Sequence, residues 1–117
     1  MVETNTTTYD NLVFKKETAM PVTIVGEEIE VGQVLGMITA SAKFVGCQSD
    51  GTDDGRRTAI CVALEACDAQ LADVEIPALF AGEVNEDELE FLGTDVLATH
   101  IRQLWMQGIY PKNPLDA

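Results

Sequence analysis

Short runs of apolar and β-branched residues, separated by turn-forming residues, occupy most of the chain after Pro21 and predict β-strands. The first run covers residues 22–25 and the second covers residues 29–39. Gly32 and Gly36 interrupt the second run, and glycine inside a strand pattern is typical of a turn, a bulge or a close backbone approach. Three further runs predict strands at residues 43–45, 58–64 and 74–80.

Two of these runs also indicate where their strands lie in a sheet. The run at residues 58–64 is apolar on both faces, which predicts a central strand. The run at residues 74–80 contains Pro77, which cannot donate a backbone hydrogen bond, so it is expected at a sheet edge or a bulge.

Near the C-terminus the apolar period changes to that of a helix, from about Val96 to Gln107. The apolar residues that share one helix face are Leu97, Ile101, Leu104 and Trp105. Thr94 or Asp95 is expected to cap the N-terminus, and Gly108 is expected to end the helix. Leu104 and Trp105 are interpreted as core residues.

These elements predict a fold that is mainly β with a small α part: a compact β-rich single domain with a flexible N-terminal arm and one C-terminal helix (about 95–107). The arm covers residues 1–20, because the Thr-rich start has no periodicity, and the β-rich domain covers residues 21–117. The arm contains a short apolar cluster, made up of Tyr9, Leu12, Val13 and Phe14. Such a cluster must pack against its own domain or against a partner.

The charge of the chain changes the list of expected partners. The 117 residues carry 20 acidic and 7 basic side chains, for a net charge of −13. A phosphate backbone would repel this chain, so nucleic acid is not expected as a direct partner. No apolar run approaches the ~20 residues that a membrane helix needs, and the N-terminus does not resemble a signal peptide.

Few residues are candidates for catalysis or metal binding. Cys47, Cys61 and Cys67 are an odd number with no metal-binding spacing, so free thiols are expected, with Cys61 in the core. His100 is the single histidine and is interpreted as lying on the helix surface. No catalytic residue, metal site or cofactor is predicted.

The turn at residues 50–55 invites comparison with a calcium-binding loop. Asp50, Thr52 and Asp54 occupy ligand positions of such a loop, and Gly55 occupies its glycine position. Cys61 stands where the loop requires a bidentate glutamate, so an ordinary Asp/Gly turn is expected.

A second acidic group follows the predicted strand at 74–80. It consists of Glu83, Glu86, Asp87, Glu88 and Glu90. These residues are interpreted as solvated acids at a helix start, where Asn85 caps a single turn. The alternative is a small enzyme that uses them as a carboxylate site.

From about Pro21 to Ile109 the chain resembles the lambda-type bacteriophage head decoration protein family. The matching segments, in order, are residues 31–41 leading to Lys43, 50–52, 62–64, 68–69 and 82–85 with Leu89, then a helix that runs into Gly108 and Ile109. The match covers about three quarters of the chain. Ala42 departs from the family pattern, which tends to have glycine before this lysine.

The resemblance implies a structural virion protein that does no chemistry. It implies a homotrimer that binds the major capsid protein on the outside of the expanded capsid and stabilises the capsid against internal DNA pressure. The family's arm is disordered in the free protein and orders on the capsid, which implies capsid contacts at Tyr9, Leu12, Val13 and Phe14. Synthesis is expected in the cytoplasm of the bacterial host, with no membrane association.

An oligomeric bacterial adaptor or carrier-type binding domain without catalytic activity is the alternative. Residues 31–38 resemble the first strand of biotinyl and lipoyl carrier domains. Those domains need a lysine that can be modified at the tip of a hairpin. Lys43 is the only lysine in the middle of the chain, and the sequence shows no hairpin pattern around it.

Overall fold

Eight β-strands and one α-helix form most of residues 12–113, the part of the chain that this computed structural model describes. The strands are β1 (Val13–Ile24), β2 (Glu28–Ile29), β3 (Val34–Ile38), β4 (Lys43–Gly46), β5 (Cys61–Ala63), β6 (Cys67–Asp68), β7 (Val74–Asn85) and β8 (Ile109–Lys112). Helix α1 spans Leu97–Gln107. The prediction of a mainly β fold with one helix near the C-terminus is confirmed.

Five of the strands form a closed ring in the order β1-β4-β3-β5-β7, because β7 pairs back with β1. The β1–β7 ladder is antiparallel and runs from the pair Val13 and Val84 to the pair Ile24 and Val74. A parallel pair, Ile24 with Phe44, joins β1 to β4. Strand β8 lies parallel to the last residues of β7, and β2 pairs with β6 in a separate two-stranded sheet.

Side chains alternate between two apolar clusters on opposite faces of the ring. In β5, Cys61 and Ala63 belong to one cluster, and Val62 belongs to the other, which also contains Leu104 of α1. All three β5 residues are fully buried, so the prediction of a central strand is confirmed. The strand is shorter than predicted, and before its N-terminal end the Ala59 N–H donates to Gln103 Oε1 of α1, at 2.7 Å, rather than to another strand.

Strand β7 lies inside the ring rather than at an edge, so the position predicted from Pro77 is wrong. Pro77 pairs directly with Pro21 of β1, and its carbonyl accepts from the Leu64 N–H at 3.1 Å on the opposite side. In extended backbone the N and C=O of one residue point to the same side, so the missing N–H of Pro77 costs no bond to β1. A central position therefore tolerates this proline.

The β3–β4 connection contains Ala42, the residue at which the sequence departs from the family pattern. Ala42 has φ of 60°, and it is the one non-glycine residue in the described part of the chain with positive φ. The left-handed region costs a residue with a Cβ roughly 1–2 kcal/mol, whereas glycine adopts it freely. The chain thus keeps a turn that suits glycine, with an alanine in it.

The predicted N-cap of α1 is wrong. Val96 precedes the helix, and its N–H donates to Thr99 Oγ1 at 3.1 Å, while the Asp95 carboxylate points instead to Ser49 and His100. Gly108 has φ of 90° and ends the helix as predicted.

The buried face of α1 overlaps the face that the apolar period predicted but is shifted around the helix, since Leu97 and Ile101 are half-buried. Leu104 is buried as expected, whereas Trp105 is 51% exposed, so its interpretation as a core residue is wrong. His100 and Leu104 define the buried face, and Trp105 is rotated about 100° from Leu104 around the helix axis.

Candidate functional site: the open edge of β1 and the histidine cluster

Strand β1 has an edge that, among the described residues 12–113, no other strand covers over most of its length. One side of β1 pairs with β7 throughout, whereas the other side pairs with β4 only at Ile24. Residues 14–21 are all exposed, so this part of β1 has water on its faces as well. We call the uncovered side of residues 14–21 the open edge. A strand edge of this kind is a template for pairing with another chain.

The structure separates the residues predicted to form the capsid-binding cluster. Tyr9 lies outside the described residues. Leu12 is 2% exposed and packs in the core, and its carbonyl accepts from the Asn85 N–H at 2.7 Å. Val13 is half-buried against the same core, and Phe14 is 38% exposed. Of the three described residues, Phe14 is therefore the one most available to a partner.

The β-domain begins earlier than the sequence predicted. Residues 13–20 were assigned to the arm, but they form the first two thirds of β1 and pair with β7. This segment was hard to recognise because its side chains are exposed on both faces, which removes the apolar alternation of a half-buried strand. The segment that precedes the described domain is thus residues 1–11.

Gly82 allows the N-terminal half of β1 to approach β7 closely. Its φ is 148°, and a Cβ at this position would lie 2.2 Å from the Lys15 carbonyl oxygen. The ladder also shifts register near this point, between Val13 and Lys15 and again after Lys16. Only a residue without a Cβ fits this contact, so Gly82 positions the segment that carries Phe14.

A shallow cavity of about 210 Å³ lies further along the same β1–β7 ribbon. It is lined by Ala19, Met20, Pro21, Glu75, Ile76 and Pro77. Met20 is 47% exposed there, which leaves an apolar side chain next to the open edge.

The second candidate is a buried polar cluster around His100. His100 is 1% exposed, so its predicted place on the helix surface is wrong. Its Nε2 lies 2.7 Å from Asp95 Oδ2, and its Nδ1 lies 2.8 Å from Gln103 Oε1. The two Asp95 oxygens also accept from the backbone N–H and the hydroxyl of Ser49, at 2.7 and 2.6 Å. Helix α1 is thereby tied to the segment that follows β4.

Burial would raise the pKa of Asp95, but the hydrogen bonds from Ser49 and His100 outweigh it, and the pKa lies below its ordinary value. The carboxylate is therefore held ionised inside the domain. No local sequence pattern indicates this cluster, since Ser49 and Asp95 are 46 positions apart.

Cys47, His100 and Asp95 superficially resemble a nucleophilic triad, but their geometry does not suit one. Cys47 Sγ lies 3.7 Å from both ring nitrogens, which places it against the ring rather than in line with one nitrogen. Burial, with a smaller contribution from Asp95, raises the pKa of the Cys47 thiol to about 12. A general base must be aimed at its nucleophile, and the nucleophile must reach substrate. The cluster is built for packing and hydrogen bonding.

The acidic turn at residues 50–55 is organised by an arginine. Arg56 holds Asp54 through two side-chain hydrogen bonds, of 3.0 and 2.8 Å, and these lower the pKa of the carboxyl. Across the described part of the chain, histidine, cysteine and acidic side chains form no group that could hold a metal ion.

The other sequence candidates have ordinary structural surroundings. Asn85 caps the turn Glu86–Glu88, as predicted, by accepting from the Asp87 N–H at 3.0 Å. Cys47, Cys61 and Cys67 are free, and Cys61 lies in the core as predicted. Within the described range, no helix is long and apolar enough to cross a membrane.

Comparison with known proteins adds the family. A family model described as "Bacteriophage lambda head decoration protein D" matches residues 1–109. A search of curated proteins found no match. The family match covers the open edge, the histidine cluster and the helix, and it includes residues 1–11. The chain therefore belongs to the bacteriophage lambda head decoration protein D family, which gives it a structural role on a phage capsid and a place in the virion.

Proposed function

We propose that this protein binds the outside of the expanded capsid as a homotrimer, through the major capsid protein, and stabilises the capsid against internal DNA pressure. The observation that carries the proposal is the open edge of β1, which is separated from residues 1–11 only by Leu12 and Val13. A decoration protein needs a surface that recognises an extended capsid segment, and an uncovered strand edge offers backbone hydrogen bonds for that purpose.

The contact is proposed to be β-augmentation. A capsid strand would pair with the open edge, and residues 1–11 would continue the contact beyond the domain. Phe14 and Met20 are exposed beside the open edge and would supply apolar contacts. The charged lysines at 15 and 16 discourage uncontrolled pairing of this edge with other copies of the chain, which a bare apolar edge would not do. The same two lysines would favour an acidic partner segment.

Trimer formation is supported by apolar side chains elsewhere on the surface. Trp105 and Met106 of α1 are 51% and 82% exposed, and Tyr110 of β8 is 48% exposed. Aromatic residues and methionine are enriched in protein interfaces. A trimer would carry three capsid-binding segments, and this multivalency raises avidity by roughly 10²–10⁴-fold over one segment.

The remaining parts of the proposal concern chemistry and location. The protein is proposed to have no catalytic activity and to be made in the cytoplasm of the bacterial host, where its three free thiols would stay reduced. The net charge of −13 would keep the decorated particle soluble.

The carrier-type alternative gains no support from Lys43. The structure does form a β3–β4 hairpin, which the sequence pattern did not indicate. However, Lys43 belongs to strand β4, and its Nζ lies 2.6 Å from Asp73 Oδ2. A lysine that is to be modified must be presented at the hairpin tip.

The test of the arm compares the full chain with a variant that lacks residues 1–11. This boundary leaves Leu12 and β1 in place, so the variant should fold and give the same mass in sedimentation equilibrium. We expect it to lose binding to expanded capsids of the phage that encodes it. Normal capsid binding by the truncated protein would overturn the role of residues 1–11, and a monomer at tens of micromolar would overturn the trimer.

A further inference from the structure

Each of the two ring nitrogens of His100 faces a hydrogen-bond acceptor. Nε2 faces Asp95 Oδ2 at 2.7 Å and Nδ1 faces Gln103 Oε1 at 2.8 Å. The Gln103 atom that faces Nδ1 must be the amide oxygen rather than the amide nitrogen, because the Ala59 N–H also donates to it, at 2.7 Å. A flipped amide would place its NH2 group against that N–H, so two donors would face each other.

A neutral imidazole does not satisfy this arrangement. It has one N–H donor and one nitrogen lone pair. Whichever tautomer forms, the lone pair would face an oxygen lone pair inside a site that is 1% exposed at His100. An unsatisfied and repulsive contact of this kind is costly away from water. With a proton on each nitrogen, both contacts become hydrogen bonds.

We infer that His100 is held as an imidazolium inside the folded protein, and that its charge, balanced by Asp95, fixes helix α1 to the segment 47–49. Asp95 supplies the compensating negative charge, and its hydrogen bonds from Ser49 keep it oriented. A buried charge is tolerated when it is paired and hydrogen-bonded, and both conditions are met here.

The other groups packed against the ring are compatible with a cation. Phe91 stacks on it, with 6.0 Å between centroids and 8° between planes, and an aromatic face attracts a positive charge. Cys47 is the other titratable group in contact, and its raised pKa of about 12 keeps it a neutral thiol. Within residues 12–113, the charged and titratable groups in contact with the ring are thus Asp95, from the segment before α1, and Cys47, from the segment after β4.

The consequence is a charged attachment of α1 to the segment 47–49. Helix α1 also carries the exposed Trp105 and Met106, so the same ion pair positions this apolar surface.

The direct test is ¹⁵N NMR of the histidine ring in the intact protein, between pH 7 and 8. We expect both ring nitrogens to carry protons, with two ring N–H signals that exchange slowly with water. A ring nitrogen that carries no proton at pH 7 would overturn the inference. This measurement needs no variant, so it does not depend on whether a mutant folds.

Discussion

Replacing Asp95 by alanine should destabilise the domain far more than replacing an exposed aspartate. The Asp95 side chain is 3% exposed and accepts three hydrogen bonds, from the Ser49 N–H, the Ser49 hydroxyl and His100. The substitution removes all three acceptor contacts and leaves the donors buried.

The size of the effect follows from the burial of the pair. Removing one member of a buried, hydrogen-bonded ion pair costs about 3–5 kcal/mol. Since a domain of this size has a total stability of about 5–15 kcal/mol, Asp95→Ala should lose a large part of its free energy of unfolding. The loss corresponds to a decrease in Tm of roughly 10–20 °C.

Asp73→Ala is the matched control. Asp73 forms an ion pair with Lys43 at 2.6 Å, which is as short as the contacts of Asp95, but the two side chains are 41% and 42% exposed. Surface pairs contribute about 0–1 kcal/mol. The assay is urea unfolding followed by tryptophan fluorescence and circular dichroism, at one fixed protein concentration, because oligomerisation makes apparent stability depend on concentration. Equal losses in the two variants would refute the argument that burial sets the value of the Asp95 contacts.

Three other predictions concern pH and backbone conformation. Because the pKa of Asp95 is lowered in the folded protein, its contribution to the free energy of unfolding is present above about pH 4 and is lost as pH falls further. The stability difference between wild type and Asp95→Ala should therefore shrink in acid. A difference that stays constant down to about pH 2 would contradict this. Ala42→Gly should raise the free energy of unfolding by about 0.5–1 kcal/mol, because it relieves the left-handed strain at φ of 60°. Ala40→Gly, in the same turn but without positive φ, should lower the free energy of unfolding. A change of the same sign in both variants would refute the claim that Ala42 is strained. Gly82→Ala should detach the first residues of β1 and increase hydrogen exchange there, because the new Cβ would lie 2.2 Å from the Lys15 carbonyl oxygen. Gly26→Ala is the control, since Gly26 also has positive φ but its Cβ would have no atom within 4 Å. Equal hydrogen exchange in β1 of the two variants would argue against the close contact at Gly82.

The strands and their breaks could be predicted because their causes are local. Apolar and β-branched runs placed most strands, Gly32 interrupted one of them, and Gly108 ended the helix. The cap at Asn85 depends on a residue two positions away, so the sequence was sufficient there too.

The candidate sites could not be predicted because their causes are distant in sequence or leave no periodic pattern. His100 is buried only because Asp95, Ser49 and Cys47 meet it in the folded domain, and apolar periodicity does not register a polar residue that is satisfied by such partners. Residues 14–21 of β1 are exposed on both faces, so they looked like an arm although they form a strand. The family match, in contrast, follows from an ordered set of short motifs that the sequence displays directly.

Decoration of the capsid exterior can be measured by cosedimentation of the purified full chain with expanded capsids of its own phage that lack the protein. We expect saturable binding at three copies per site, with weaker or no binding to unexpanded capsids, because the open edge of β1 and residues 1–11 need a capsid segment that expansion presents. Absence of saturable binding to expanded capsids, in protein that is folded by circular dichroism, would contradict the proposed decoration of the capsid exterior.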